Sequence, residues 1–315
     1  MPLETAAVPK AQLALGPIPF HWPAERKLDF YARIADEAPV DTVYLGEVLC
    51  SKRAPFFDTH IHDVADRLKR GGKRVVLSSL AEVMLPRERQ MTADLCASMD
   101  FEVEANDGAA LFHLADKPHR VGPMMNVYNE RTLAHLAKRG ATHVSLPVEL
   151  PGHSVRLIAK HAKELGVAIE VQVFGRASLA ISARCYHARA HGRTKDNCQF
   201  VCEMDPDGME LTTLDKQPLL TINGIQTLSH KYISLHAELP DIVAAGISHL
   251  RLMPQAVDMV EVATVFRDLC EARVDSSEAE RRIGEIAAMA VLANGFWHGA
   301  AGHLRVRRQA AVRAV

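Results

Sequence analysis

Short apolar runs alternate with amphipathic stretches along most of the chain, and that rhythm limits the fold more than any single motif does. "TVYLG" (42–46), "RVVLSSL" (74–80), "FEVEAN" (101–106), "HVSLPVEL" (143–150) and "AIEVQVFG" (168–175) are short, β-branched and bounded by polar residues or glycine, as strands are. "LALGPIP" (13–19), "RVGPMMNVY" (120–128) and "ISHLRLMP" (247–254) bring the strand candidates to eight. Helical stretches lie between them. "FDTHIHDVADRLKRGG" spaces Ile61, Val64 and Leu68 by three and four residues and stops on Gly71 and Gly72. "NERTLAHLAKRG" (129–140) begins on Asn129, a residue suited to N-capping, and "PGHSVRLIAKHAKELG" (151–166) opens with proline and closes with glycine. Such alternation predicts parallel pairing, and an α/β fold of the (β/α)8 TIM-like barrel type is the leading architecture. An open doubly wound sheet is the alternative, but "ALGPIPFHWP" (14–23) carries no GxGxxG after the first strand.

Two regions break the rhythm. Residues 176–228 form a long excursion after the seventh strand and include "DPDG" (205–208), a strong turn signal. The other is "SSEAERRIGEIAAMAVLANGFWHG" (276–299), a helix start with Ser276 or Ser277 as its expected cap. The organisation expected is a single barrel domain over 11–315, with 176–228 as an inserted metal-binding loop region and 1–10 as a flexible N-terminal extension.

Six cysteines fall into two groups. Cys96 and Cys270 sit inside helical patterns beside leucine and read as small buried hydrophobes. Cys185, Cys198 and Cys202 follow the spacing C-x12-C-x3-C within "ARCYHARAHGRTKDNCQFVC" (183–202). Cys198 and Cys202, four apart, would share a face on a helical turn. Cys50 follows the second strand and Cys185 the seventh, so in a parallel barrel both loops open on the C-terminal face, where such barrels build their sites. That topology gathers four thiols spread over about 150 residues of sequence.

What the thiols do depends on where the protein resides. The N-terminus lacks the basic start and apolar core of a secretory signal, no apolar run is long enough for a membrane span, and a cytoplasmic location is expected. Thiols there stay reduced, so a cluster of them points to metal or catalysis before disulfides. Zinc favours paired C-x2–4-C knuckles, and only one short pair exists here. A 4Fe-4S cluster tolerates irregular spacing and is favoured by a small margin. Zinc, a nucleophilic thiol activated by Arg184 or His187, and four unrelated thiols all remain open. The formal net charge of −1 gives no reason to expect a nucleic acid partner. The arginines of the tail, Arg305, Arg307, Arg308 and Arg313, read as a solvated end.

"YLGEVLCSKR" (44–53), "LPVEL" (146–150), "SARCYHAR" (182–189), "KDNCQFVC" (195–202), "NGIQTLS" (223–229), "RLMPQ" (251–255) and "NGFWHG" (294–299) together resemble a branch of the collagenase-like U-type peptidase family. That branch takes part in oxygen-independent ubiquinone biosynthesis, and the matches run in order over almost the whole chain. The resemblance implies a 4Fe-4S cluster with Cys50, Cys185, Cys198 and Cys202 as its ligands. It further implies a heterodimer with a homologous UbiU-like partner, a quinone-precursor substrate hydroxylated on its aromatic ring, and prephenate as the oxygen donor. The wider family carries a signature close to H-G-A-L-C-x-S-x-S-G-x-C. Here "FGRASLAISARC" (174–185) has Phe174 and Ser178 in place of that histidine and first cysteine. The departure argues against proteolysis, and no HExxH motif replaces it. A scaffold whose four-cysteine metal site, iron–sulfur or zinc, stabilises a partner interface is the alternative function, with an RNA-modifying or peptidase-like enzyme behind it.

Among other polar residues, Glu47, Glu149 and Glu170 each read first as a salt-bridged or exposed strand residue, the alternative being that one faces the barrel interior for acid–base work. No catalytic residue follows from the sequence. His60, His62, His135, His161 and His191 read as solvated, Arg184 and Arg189 as charges beside Cys185, and "VYLGE" and "RLMPQ" as barrel core.

Overall fold

The computed structural model describes residues 11–98 and 100–307. The expected extension 1–10, and Arg308 and Arg313 of the tail, lie outside the described residues. Seven parallel strands follow in order: β1 (Gln12–Leu15), β2 (Thr42–Leu45), β3 (Arg74–Ser78), β4 (Glu102–Ala105), β5 (His119–Val121), β6 (Ala141–Ser145) and β7 (Ala168–Ile181). The chain then makes an antiparallel excursion through β8 (Met209–Thr212), β9 (Pro218–Asn223) and β10 (Gln226–Ser234). β11 (His249–Leu252) returns, pairs in parallel with both β7 and β1, and closes a (β/α)8 barrel of eight strands. A short β12 (Leu292–Ala293) adds to β10.

Each expected strand is present, and the two largest boundary differences have local causes. "RVGPMMNVY" yields only His119–Val121, because Pro123–Met125 is a 3-10 turn and Asn126 takes a left-handed conformation (φ 54°). β7 overruns its expected end at residue 175 because a second partner takes over. It pairs with β11 from Glu170 to Phe174, then with β10 from Phe174 to Ile181.

The helices form where their spacing places them. Val64 and Leu68 are buried on the helix Ile61–Arg70, and Asn129 Oδ1 accepts from Thr132 N to cap Glu130–Lys138. The cap of Ser276–Ile286 is neither expected serine but Asp275, just before them, whose carboxylate accepts from Ser277 N and Glu278 N. Arg305 is not a solvated tail residue, since its guanidinium donates to Ser234 O (3.1 Å) and to His236 Nε2 (3.1 Å).

Alternation along the strands sends Ile169, Val171, Leu250 and Leu252 to the main apolar core and leaves a polar interior. Arg251 on β11 reaches Glu104 on β4 (2.5 Å) and also pairs with Glu170 on β7. These strands are not all neighbours, so the contacts cross the barrel interior. Tyr44 donates to Glu170 (3.2 Å) and accepts from Arg120 Nη1 (2.9 Å), while Ser78 donates to Glu104 (2.7 Å). Burial alone would raise the Glu170 carboxyl, but Arg251, His143 and Ser145 hold it well below the usual carboxylate range. Of Glu47, Glu149 and Glu170, it is Glu170 that is fully buried in the interior, ion-paired with Arg251.

Candidate functional site

The turn carrying Cys50 is braced from both sides. Gly46 after β2 needs φ +116°, and a Cβ there would stand 2.8 Å from Ser78 O. Glu47 Oε1 accepts from Leu49 N and Cys50 N (3.0 Å each), and Arg53 N closes the turn on Cys50 O (2.8 Å). Ser51 Oγ donates to the buried Glu88 (2.6 Å). Glu47 therefore fixes the backbone at Cys50.

The other three thiols come from the excursion. Cys185 caps the short helix Tyr186–Ala190, its Sγ accepting from Ala188 N (3.4 Å). Cys198 and Cys202 do not share a helical turn as their spacing suggests. Gln199 and Phe200 are both left-handed (φ 47° and 53°), and only Val201–Met204 forms a 3-10 helix. Cys50, Cys185, Cys198 and Cys202 line one small cavity of about 20 Å³, together with Arg53, Lys195, Phe200 and Gly224.

The cations at this cavity were not visible as such in the sequence. Arg184 and Arg189 are exposed and do not line it. Arg53 is buried beneath it and bonds to Pro19 O and Asn223 Oδ1 (3.1 Å each). Lys52 Nζ reaches Cys198 Sγ (3.6 Å) and Lys195 O (2.7 Å). Burial pushes the Cys50 and Cys202 thiols up, while the Arg53 guanidinium pulls against that rise. The cue was the "KR" that follows Cys50, two charges in a loop otherwise committed to the interior. Cys96 and Cys270 lie in the helices Pro86–Ala97 and Met259–Cys270, and burial pushes both thiols up to about 11.

A larger cavity of about 460 Å³ occupies the C-terminal mouth of the barrel. Its polar lining includes Glu82, Asn126, Glu149, Ser178, Gln226 and Gln255. Gln226 Nε2 donates to Ser178 Oγ (2.7 Å), whereas the carbonyl oxygens of the buried Gln226 and Gln255 accept nothing. Glu149 accepts a short hydrogen bond from Tyr128 OH, and burial together with Glu149 raises that phenol to about 12. Met253 and Gln255 of "RLMPQ" also line this cavity, so that segment is more than barrel core.

The two cavities share a wall. Ala81 and Ile181 of the mouth and Cys185 of the thiol cavity all pack against one cluster, Val48, Leu49 and Ile225. Lys195, from the thiol cavity, pairs with Glu82, from the mouth (3.1 Å).

The sequence profile of peptidase family U32 matches residues 30–305, nearly the full length of the chain. The chain belongs to peptidase family U32. In this U32 protein Phe174, where the resemblance placed a histidine, is fully buried against Tyr232 and Phe266. Ser178, at the cysteine position of that signature, lines the mouth. Among the described residues, no helix is long and apolar enough to cross a membrane.

Proposed function

We propose that this U32 protein is a UbiV-like iron–sulfur subunit of an oxygen-independent hydroxylase acting on the aromatic ring of a ubiquinone precursor. It works in this reading as a heterodimer with a UbiU-like partner, and prephenate is the oxygen donor. The observation that carries the reading is the meeting of four thiols, from two loops far apart in sequence, in one cavity that shares a wall with the barrel mouth.

Cys50, Cys185, Cys198 and Cys202 would hold the cluster. Four soft thiolates beside Arg53, Lys52 and Lys195 suit an anionic iron–sulfur group, since nearby cations offset its charge and raise its potential. A single tetrahedral zinc would draw four sulfurs to ~3.8 Å from one another, given a Zn–S bond of about 2.3 Å. Among the described residues these thiols are not grouped within even 4.8 Å. The cavity they line is about 20 Å³, with Cys185 and Cys198 half-buried beside it. When bound, the cluster supplies one-electron chemistry.

The residues of the mouth do the binding. A cavity of about 460 Å³ with Asn126, Glu149 and Ser178 in its polar lining accommodates a substituted, hydroxylated ring. Leu179, Leu228 and Met253 supply its apolar walls.

Anaerobic purification with the partner co-expressed tests the reading. The expected protein is brown, absorbs near 400 nm and holds about four iron and four sulfide per chain. Cys50→Ser should lose most of that iron and the hydroxylation of the precursor while the barrel stays folded. A colourless protein without iron, carrying zinc that Cys50→Ser releases, overturns it. The scaffold alternative draws on Leu211, Leu214 and Leu219, all exposed on the β8–β9 hairpin next to the thiol segment. It predicts instead that Cys50→Ser abolishes pairing with the partner.

A further inference from the structure

Beside the thiol cavity, on its outer side, lies a second set of donors. His187 and His191, four residues apart, share a face of the helix Tyr186–Ala190 and its C-cap, and their rings stack with centroids 5.6 Å apart. Asp205 opens the "DPDG" turn, closed by Gly208 N on Asp205 O (2.9 Å). That turn is pinned at both following residues. Trp22 Nε1 donates to Pro206 O (2.6 Å), and Asp207 pairs with Arg176 (2.7 Å).

The contact between the two elements is not an ordinary hydrogen bond. His187 is fully buried, and its Nε2 comes within 2.8 Å of Asp205 Oδ2. Yet neither Nε2 nor Nδ1 of His187 makes a hydrogen bond. A buried imidazole normally satisfies both nitrogens; here Nδ1 has no partner, and Nε2 faces the Asp205 carboxylate without the alignment of a hydrogen bond. Ligand atoms of His187, His191 and Asp205 all lie within 4.8 Å of one another, the only such set of three or more among the described residues.

We propose that His187, His191 and Asp205 form a mononuclear site for a divalent transition metal of the zinc class, separate from the four thiols. Two imidazoles and one carboxylate make a three-ligand set that suits zinc or ferrous iron and leaves a further position open. That position faces solvent, because His191 is exposed and Asp205 is about a third exposed. The metal would tie the helix that begins at Cys185 to the turn that follows Cys202, and so lock the segment that presents three of the thiols. The site stands whether or not those thiols hold a cluster.

Zinc itself is the probe, added to the anaerobically purified full-length chain whose iron has been measured. Wild type and Cys198→Ser should each bind one zinc per chain with similar affinity. His191→Ala, at an exposed position, and Asp205→Asn should weaken that binding at least about tenfold while iron content stays at the wild-type value. Circular dichroism of each variant establishes that it is folded. The proposal is overturned if wild type binds no zinc, if His191→Ala binds it unchanged, or if Cys198→Ser releases it as fully as His191→Ala.

Discussion

Lys195 Nζ stands 3.1 Å from Glu82 Oε2, and the two residues belong to different cavities, the thiol cavity and the barrel mouth. Their ion pair joins the two cavities, as does the hydrogen bond from Arg53 Nη1 to Pro19 O (3.1 Å). Glu82→Gln keeps the shape and removes the charge. Both side chains are partly exposed, so the loss of stability should be at most about 1 kcal/mol. If the cavities act together, turnover of the ring substrate by the paired proteins should fall about tenfold, equivalent to ~1.4 kcal/mol in the barrier. Urea midpoints and product formation measure the two effects separately, and unchanged turnover would mean that the pair plays no part in coupling them.

Gly224 closes the thiol cavity over Arg53. It adopts φ +62°, and a Cβ there would come 2.5 Å from Arg53 Nη2. Gly224→Ala should therefore combine backbone strain with displacement of a buried guanidinium, a loss of about 1–3 kcal/mol in urea unfolding. Iron retention should fall alongside it, because Arg53 lies against Cys50 and Cys202. A variant with wild-type stability and full iron content would show that Arg53 has room to move.

Stability should also depend on acidity through His236. Burial first, and then the Arg305 guanidinium, lowers this imidazole to about 4 from an ordinary value of 6.5. Between those values the unfolded chain binds a proton that the folded chain refuses. The stabilising contribution is therefore complete above pH 6.5 and is lost as pH falls from 6.5 towards 4. His21 and His249, also lowered to about 4, act in the same direction. The urea midpoint should drop between pH 7 and pH 5, and His236→Gln should drop less. An equal drop in both proteins would assign the acid sensitivity elsewhere.

The barrel was legible because its signal is repeated. Eight short β-branched runs separated by amphipathic helices leave few other solutions, and the caps at Asn129 and Gly166 are local chemistry that packing does not override. The convergence of Cys50 with the later cysteines followed from topology alone, since loops after parallel strands share one end. The surroundings of those thiols were less legible. Arg53 and Lys195 reach the cavity by side-chain length and loop shape, which no periodicity encodes, whereas Arg184 is close in sequence and points to solvent. The left-handed pair Gln199 and Phe200 breaks the helical spacing that Cys198 and Cys202 suggest, and neither residue type announces that conformation. Gln255 looked like core because it follows a strand, but it lies just past the strand end, where the barrel opens.

β7 is both a stave of the closed ring and the first strand of the arm built on β10, with the exchange of partners at Phe174. The cysteine segment is thus no detachable loop, because its registry is inherited from the wall. Grafting it onto a related barrel would succeed only as a cassette running from about Phe174 to Ser234. A shorter transplant that begins at Ser182 would leave β10 without the strand against which it aligns.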